Sequence, residues 1–127
     1  MMVLRETQMM TEDKARVFAA HWVQAWNSHD LEAIMSHYGE EVVLVSPVAA
    51  SILGEPSGTV KGKEAVRKYF KKGLEFYPSL RFELIEVMWG LSSVVLYYAN
   101  QKGTKGGEFM EIDAAGKVVR VVANYNG

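Results

Sequence analysis

The chain has 127 residues, with 14 Lys plus Arg against 15 Asp plus Glu, a formal net charge of -1 and no cysteine. A chain of this length fits one domain that buries roughly two-thirds of its unfolded surface around a single core. Near-neutral charge provides no basic field, so neither nucleic acid nor an anionic membrane is expected as a partner. The lack of cysteine excludes disulfides, thiolate nucleophiles and cysteine-ligated zinc.

The N-terminal segment, residues 1–10, is predicted to be loose, and residues 11–127 are predicted to form one domain. The apolar stretch within the first ten residues is too short for the core of a signal peptide. No other apolar run approaches the roughly 20 residues that a membrane-spanning helix needs. The sequence therefore predicts a cytoplasmic protein.

Two helices are predicted in the first 40 residues. Thr11 is placed to cap the first helix, whose apolar residues recur at three- and four-residue steps until a break at 27–29. Asp30 is placed to cap a second, short helix, whose apolar period includes Tyr38 and which ends at Gly39. One face of the first helix is both apolar and aromatic.

The middle of the chain is predicted to contain one strand, one loop and one helix. The β-branched run at 42–46 predicts a strand that Pro47 must terminate or push to a sheet edge. Residues 48–60 contain two glycines and a proline and predict a surface loop. A third helix is predicted to begin at Lys63 and to end at Pro78, with its basic residues on a solvated face.

After this helix the apolar period changes to two, which predicts consecutive strands joined by glycine-containing turns. The four predicted strands are Leu80–Met88, Ser92–Asn100, Gly107–Asp113 and Lys117–Tyr125. The element order ααβαββββ predicts an α+β fold, a curved antiparallel sheet wrapped around helices as a cone. Three Trp, six Tyr and five Phe exceed what a minimal core requires. Some of these aromatic residues are therefore expected to line a small-molecule pocket inside the cone.

Four segments in this order resemble the nuclear transport factor 2-like superfamily, in particular its SnoaL-like and ketosteroid isomerase-like branch. They are Trp22–Ile34, Tyr38–Pro47, Gly62–Phe70 and Asp113–Val119. The resemblance covers nearly the whole chain and implies the cone-shaped fold, also called cystatin-like. Proteins with this fold include isomerases, cyclases, dehydratases, epoxide hydrolases and non-catalytic binders, so the fold alone does not define the function.

The resemblance implies two retained catalytic residues, Trp22 and Glu108, and the loss of two carboxylates. Tyr125 is a third catalytic candidate, because the strand alignment lets it share a pocket with Glu108. Ketosteroid isomerases have a carboxylate base just before the proline that ends the first strand, and this position is Ser46 here. Their helix-1 tyrosine, an oxyanion donor, aligns with Trp22, whose indole N–H can only donate. Their protonated carboxylic acid aligns with Glu108. SnoaL-like cyclases use an acid on the last strand, where this chain has Tyr125 and no carboxylate nearby.

Strand alternation extends this prediction from Glu108 to its neighbours. If Glu108 faces inward, Met110 faces inward too, and on the last strand Val121, Ala123 and Tyr125 do so by the same alignment. Desolvation would then raise the pKa of Glu108 and keep part of it protonated. The alternative is a solvated glutamate near a strand end. The predicted ligand contacts are Trp26, Tyr38, Ser46, Phe70, Met110, Val121 and Ala123, with one of Tyr97 and Tyr98.

Other kinds of site are not favoured by the sequence. The three histidines, His21, His29 and His37, are spaced eight residues apart, which does not place two metal ligands on one helical face. No nucleophile-elbow motif accompanies the serines, and no cofactor is implied. The outward side of the last strands, with Phe109 and Val122, is too apolar to face water and predicts a homodimer.

Two functions remain open from the sequence. The first is a domain that binds a small apolar or mixed-polarity ligand, with Glu108 as the acid of an isomerase-, dehydratase- or cyclase-like proton transfer. The second is a non-catalytic ligand-binding or protein-association module. In that case Trp22, Trp26 and Tyr125 would fill the pocket themselves.

Overall fold

The computed structural model describes residues 10–127, so the predicted loose segment lies outside the described residues except for Met10. The Met10 backbone N–H donates to the Leu91 carbonyl oxygen at 2.8 Å. The helices are α1 (Glu12–Ser28), α2 (Leu31–Met35), α3 (Pro47–Leu53) and α4 (Lys63–Phe76). The strands are β1 (Tyr38–Val45), β2 (Thr59–Lys61), β3 (Glu83–Trp89), β4 (Ser93–Ala99), β5 (Lys105–Ile112) and β6 (Val118–Tyr125).

The six strands form one curved sheet in the order β2-β1-β6-β5-β4-β3. Neighbouring strands are antiparallel except β1 and β6, which are parallel. Helix α1 packs against β3, and α4 packs against β1. The core lies between these helices and the inner face of the sheet. The predicted α+β fold is therefore confirmed.

The caps of α1 and α2 explain where these helices begin. Thr11 precedes α1, and its hydroxyl accepts a hydrogen bond from the Lys14 backbone N–H at 3.2 Å. His29 ends α1 in the left-handed conformation with φ of 60°. Asp30 then caps α2, since its Oδ1 accepts hydrogen bonds from the Glu32 and Ala33 backbone N–H groups at 3.0 and 3.2 Å. Both predicted caps are confirmed, since each satisfies N–H groups that a helix start leaves without partners.

The prediction of a loop at 48–60 was wrong, because this segment contains most of α3 and the first two residues of β2. Ser46 caps α3 by accepting a hydrogen bond from the Val48 backbone N–H at 3.1 Å. Pro47 occupies the first helical position, where its missing N–H costs nothing. Gly54 ends the helix in the left-handed region with φ of 68°. The element order therefore has two members more than the predicted ααβαββββ.

Tyr38 was also misplaced by the helical period, since it begins β1 rather than completing α2. Helix α2 ends at Met35, and Tyr38 pairs with Val118 of β6. Gly39 accordingly lies within β1 and does not end a helix. The side chain of Tyr38 is still buried, because the strand directs it into the core.

The predicted alternation along β5 is confirmed. Gly106, Glu108, Met110 and Ile112 are buried on the inner face, while the residues between them are partly exposed. On β4, Tyr98 is buried and Tyr97 lies on the outer face. This alternation places one carboxyl group inside the cone.

Candidate functional site

A partly open cavity of about 530 Å³ lies inside the cone, at the end where β4, β5 and β6 carry polar inward residues. Aromatic side chains from α1, α4 and the strands form much of its wall. Chain segments at the β4–β5 turn and in α3 complete the lining. The aromatic lining residues are Trp22, Trp26, Tyr69, Phe70, Tyr77, Phe82, Tyr98 and Tyr125.

The carboxyl group of Glu108 is buried against this cavity. Its side chain leaves the inner face of β5, and the residue is 7% exposed. Burial raises its pKa to about 7, although the hydrogen bond from Tyr98 lowers it somewhat. The Tyr98 hydroxyl donates to Glu108 Oε2 at 3.4 Å. A substantial share of Glu108 is therefore protonated at neutral pH, because the loss of water disfavours the charged carboxylate.

Three tyrosine hydroxyls surround this carboxyl group and remain protonated. Burial raises the pKa of Tyr69 to about 12, and it raises the pKa values of Tyr98 and Tyr125 as well. The negative charge of ionised Glu108 contributes to all three shifts. Although the Tyr125 residue is partly exposed, its hydroxyl end is close enough to Tyr98 that each alters the pKa of the other. These groups can donate hydrogen bonds but cannot act as bases near neutral pH.

Ser46 lines the cavity but has a structural task. Its hydroxyl accepts from the Val48 backbone N–H and so caps α3, although it also lowers the pKa values of Tyr69 and Tyr125. Among the described residues that line the cavity, Glu108 is the one acidic side chain and Lys102, in the β4–β5 turn, is the one basic side chain. The missing carboxylate at position 46 is thus not replaced by another acidic side chain among the lining residues in 10–127.

The indole of Trp22 borders the cavity, but its N–H is used inside the core. Its Nε1 donates to the Tyr38 hydroxyl at 3.0 Å, within a fully buried pair. The N–H that was predicted to orient a ligand therefore already has a partner. The indole of Trp26 differs, because its Nε1 is buried without a hydrogen-bond partner among the described residues.

Seven of the ten predicted site residues line the cavity, and three do not. Those lining it are Trp22, Trp26, Ser46, Phe70, Glu108, Ala123 and Tyr125. Tyr38, Met110 and Val121 are instead buried in the core, each at most 1% exposed. They face inward as predicted, but they lie where helices cover the sheet.

Sequence reasoning missed Phe82 and Tyr69 as lining residues. Phe82 precedes β3, stacks on Trp22 with ring centroids 5.6 Å apart, and lies 4.4 Å from the Tyr98 ring. Its backbone is fixed by Asn27 of α1, whose amide both donates to the Phe82 carbonyl and accepts from its N–H. Phe82 lies within the predicted strand Leu80–Met88, but alternation assigns a residue only to a face of the sheet and does not show that this face borders a cavity. Tyr69 was visible on the apolar face of the third predicted helix.

None of the histidines lines the cavity. His29 Nε2 lies 2.8 Å from the Leu80 carbonyl oxygen. His37 is packed edge-on against Phe18 with centroids 5.6 Å apart, and burial lowers its pKa. Residues 10–127 contain no group of three or more His, Cys, Asp or Glu side chains that could hold a metal ion. No helix in the same range is long and apolar enough to cross a membrane.

The cone with its cavity matches a known class of domain. The family description of the SnoaL-like domain matches residues 19–124. A SnoaL-like protein of unknown function from Burkholderia thailandensis is 39% identical, with 94% of this chain and 99% of that chain covered and a TM-score of 0.89. No curated protein matches the sequence.

More distant structures share the fold alone. A candidate isomerase of the SnoaL-like family from Agrobacterium tumefaciens is 16% identical over 91% of this chain and 99% of its own, with a TM-score of 0.73. An epoxide hydrolase/cyclase-like enzyme of pyran ring formation in salinomycin is 18% identical over 91% and 92%, with a TM-score of 0.70. The protein is therefore an α+β cone of the nuclear transport factor 2-like class. Within that class, it belongs to the SnoaL-like family.

Proposed function

We propose that the cavity binds a neutral, largely apolar small molecule through one oxygen atom and that Glu108 is the acid that donates to it. The observation that carries this proposal is a buried carboxyl group, with a pKa raised to about 7, beside a cavity of about 530 Å³. A cavity of this size and lining is typical of small-molecule sites, which combine apolar walls with few polar groups.

The charges around the cavity support a neutral ligand. An anionic ligand would meet a carboxyl group that can itself ionise, and no cation lies beside Glu108 among the described lining residues. Lys102 belongs to the exposed turn between β4 and β5. The hydroxyls of Tyr98 and Tyr125 add donors without adding charge. A carbonyl or ether oxygen matches this donor set better than a carboxylate or phosphate does.

The chemistry best supported is proton transfer to that oxygen. Protonated Glu108 would donate its proton as bond order at the oxygen changes, and the resulting carboxylate would recover a proton from the product or from water. Ser46 and the tyrosines are unsuited to act as bases, because Ser46 caps α3 and the tyrosine pKa values are raised. An isomerase-, dehydratase- or cyclase-like step with Glu108 as acid fits this set.

A non-catalytic ligand carrier is the second candidate, and one observation favours it. The position of the usual isomerase base is Ser46, and the last strand ends in Tyr125 where cyclases have an acid. A carrier would use Glu108 only to hold the ligand. Turnover would then be absent in the wild type, while binding would still depend on the protonated carboxyl group.

A matched pair of probes tests the proposed ligand class. We expect 2-acetylnaphthalene, a neutral ketone, to quench the fluorescence of cavity tryptophans on binding, and 2-naphthoate, of similar size but charged at pH 6, to bind at least about tenfold more weakly. Ketone binding should weaken as the pH rises through about 7, since Glu108 then ionises. Glu108→Gln should bind the ketone without this pH dependence, because its amide donates at every pH. Equal affinity for both probes would overturn the proposal.

A homodimer through the outer sheet face is also proposed. Tyr97, Phe109 and Val122 lie on that face, and Glu111 pairs with Arg120 across β5 and β6, so the face is apolar with complementary charges. Two copies related by a two-fold axis would cover this surface. Val122→Lys should change the mass in solution from twice 14.2 kDa to 14.2 kDa. Leu53→Lys, on α3, is the control that should remain dimeric, and a monomeric wild type would contradict the proposal.

A further inference from the structure

Gly106 lies between the two tyrosines that accompany Glu108. In the sheet register, Gly106 of β5 pairs with Tyr98 of β4 on one side and with Tyr125 of β6 on the other. All three residues are on the inner face, and Glu108 is the next inward residue along β5. The two tyrosine side chains therefore flank a position that has no side chain.

The space above Gly106 is occupied by the Tyr98 ring. A Cβ atom added to Gly106 would lie 2.7 Å from Tyr98 Cζ and 2.9 Å from its hydroxyl oxygen. The neighbouring Gly107 would accept a Cβ with no atom within 4 Å. Neither glycine is among the described residues with positive φ, so backbone conformation does not require glycine at either position. The contact with Tyr98 is what distinguishes Gly106.

Tyr98 has little freedom to move away from an added methyl group. The residue is 2% exposed, and its ring lies 4.4 Å from Phe82 and 5.6 Å from Trp22, centroid to centroid. Close-packed side chains of this kind shift only together with their neighbours. A displaced ring would carry its hydroxyl away from Glu108 Oε2, to which it now donates.

We propose that Gly106 is a positioning residue, whose missing side chain leaves the space in which Tyr98 and Tyr125 bring their hydroxyls together beside the Glu108 carboxyl group. Gly106 acts through Tyr98 and does not touch the ligand. This inference rests on the proposed function, in which Glu108 is the acid of the site. Gly106 thereby sets how strongly Glu108 holds its proton.

Carbon-13 NMR titration of the Glu108 carboxyl group in full-length variants tests the inference. Gly106→Ala should raise the pKa of Glu108 by about one pH unit, because the hydrogen bond that favours the carboxylate is lost. Gly107→Ala is the matched control and should leave that pKa unchanged. Tyr98→Phe removes the same hydroxyl without crowding and should reproduce the rise. Adding Gly106→Ala to Tyr98→Phe should then have little further effect.

Protein stability provides a second measurement in case Gly106→Ala folds poorly. Tyr98→Leu lacks the ring atoms that an added Cβ would contact. Gly106→Ala should therefore lower the unfolding midpoint in the wild-type background. In the Tyr98→Leu background, Gly106→Ala and Gly107→Ala should lower the midpoint by equal, small amounts. Equal losses in both backgrounds would overturn the inference, because the crowding would then not involve Tyr98.

The outcomes separate the two proposals. If wild-type Glu108 titrates near its ordinary pKa, the proposed function fails. If its pKa is raised but Gly106→Ala and Gly107→Ala both leave it unchanged, the role of Gly106 fails and the proposed function stands. If only Gly106→Ala and Tyr98→Phe raise it, both proposals are supported.

Discussion

The inner face of β5 differs sharply between its two ends. At the closed end, Met110 and Ile112 belong to the apolar core, and Met110 is 0% exposed. At the open end, Glu108 borders the cavity, and Gly106 lies between Tyr98 and Tyr125. The inner face of β5 thus changes from apolar core at Ile112 and Met110 to the polar lining of the cavity at Glu108. The closed end supports the fold, which allows the open end to keep a buried, poorly solvated carboxyl group.

The neighbouring strand repeats the same change. Along β6, Val121 is fully buried, Ala123 is small and borders the cavity, and Tyr125 brings a hydroxyl to its polar side. Each end also has one hydrogen-bonded pair of buried polar side chains, and Trp22 of the pair at the closed end also borders the cavity. The pair at the closed end, Trp22 with Tyr38, has no carboxyl group, whereas the pair at the open end, Tyr98 with Glu108, does. Substitutions at the two ends should therefore have different consequences.

The largest expected effect is at the closed end. Met110→Ala should lower the free energy of unfolding by about 2–5 kcal/mol, because it leaves a cavity among fully packed side chains. Urea denaturation followed by tryptophan fluorescence measures this loss. Ala123→Gly, at the edge of the ligand cavity, is a milder comparison that should cost less. A loss below about 1 kcal/mol for Met110→Ala would mean that the closed end is not tightly packed.

The second effect is a pH dependence of stability that arises at the open end. Because the pKa of Glu108 is raised to about 7 in the folded protein, the folded state holds a proton between pH 4.5 and 7 that the unfolded state has released. Stability should therefore fall as the pH rises through this range and level off above it. Relative to Glu108→Gln, the wild type should lose about 3 kcal/mol between pH 4.5 and 7.5. Parallel curves for the two proteins would contradict the raised pKa.

The third effect concerns the buried pair at the closed end. Tyr38→Phe should cost about 1–3 kcal/mol, because the Trp22 indole N–H loses its acceptor in a dry environment. The pKa of Glu108 should stay close to its wild-type value. Thermal unfolding measures the first change and carboxyl titration the second. A large change in the Glu108 pKa would show that the two ends are not separate.

The smallest effect on stability is expected for the matching substitution at the open end. Tyr98→Phe should change the free energy of unfolding by about 1 kcal/mol or less at pH 8, since its hydrogen bond is long at 3.4 Å. Unlike Tyr38→Phe, it should raise the pKa of Glu108. Finding the opposite pattern in the two variants would reverse the roles assigned to the two ends.

Much of the fold could be predicted from local signals. Thr11 and Asp30 are strong helix caps, and the period-two pattern correctly placed Met110 on the same face as Glu108. The inward direction of Glu108 itself was expected from the family resemblance, with a solvated glutamate as the alternative. The secondary structure around Pro47 was harder to predict, because a proline that ends a strand also fits the first position of a helix. The Ser46 cap and Gly54 were the signals for α3. Strand β2 has three residues, which is too few for a period to be recognised.

The site was only partly predictable, because inward direction does not indicate depth along the cone. Met110 and Val121 alternate correctly with Glu108 and Ala123, yet helices cover the first two and not the others. The choice between Tyr97 and Tyr98 depended on the β4–β5 register, which the sequence left open. Phe82 is held by Asn27 across 55 positions, and no local pattern reports such a contact.

The proposed function depends most directly on the ionisation of one carboxyl group, that of Glu108. Carbon-13 NMR of the side-chain carboxyl carbons over pH 3–10 measures the pKa of Glu108. The Glu108 signal is assigned by its absence in the Glu108→Gln variant. The structure predicts a midpoint at about pH 7. A midpoint near 4.3, the ordinary value for glutamate, would contradict the protonated acid on which the proposed function rests.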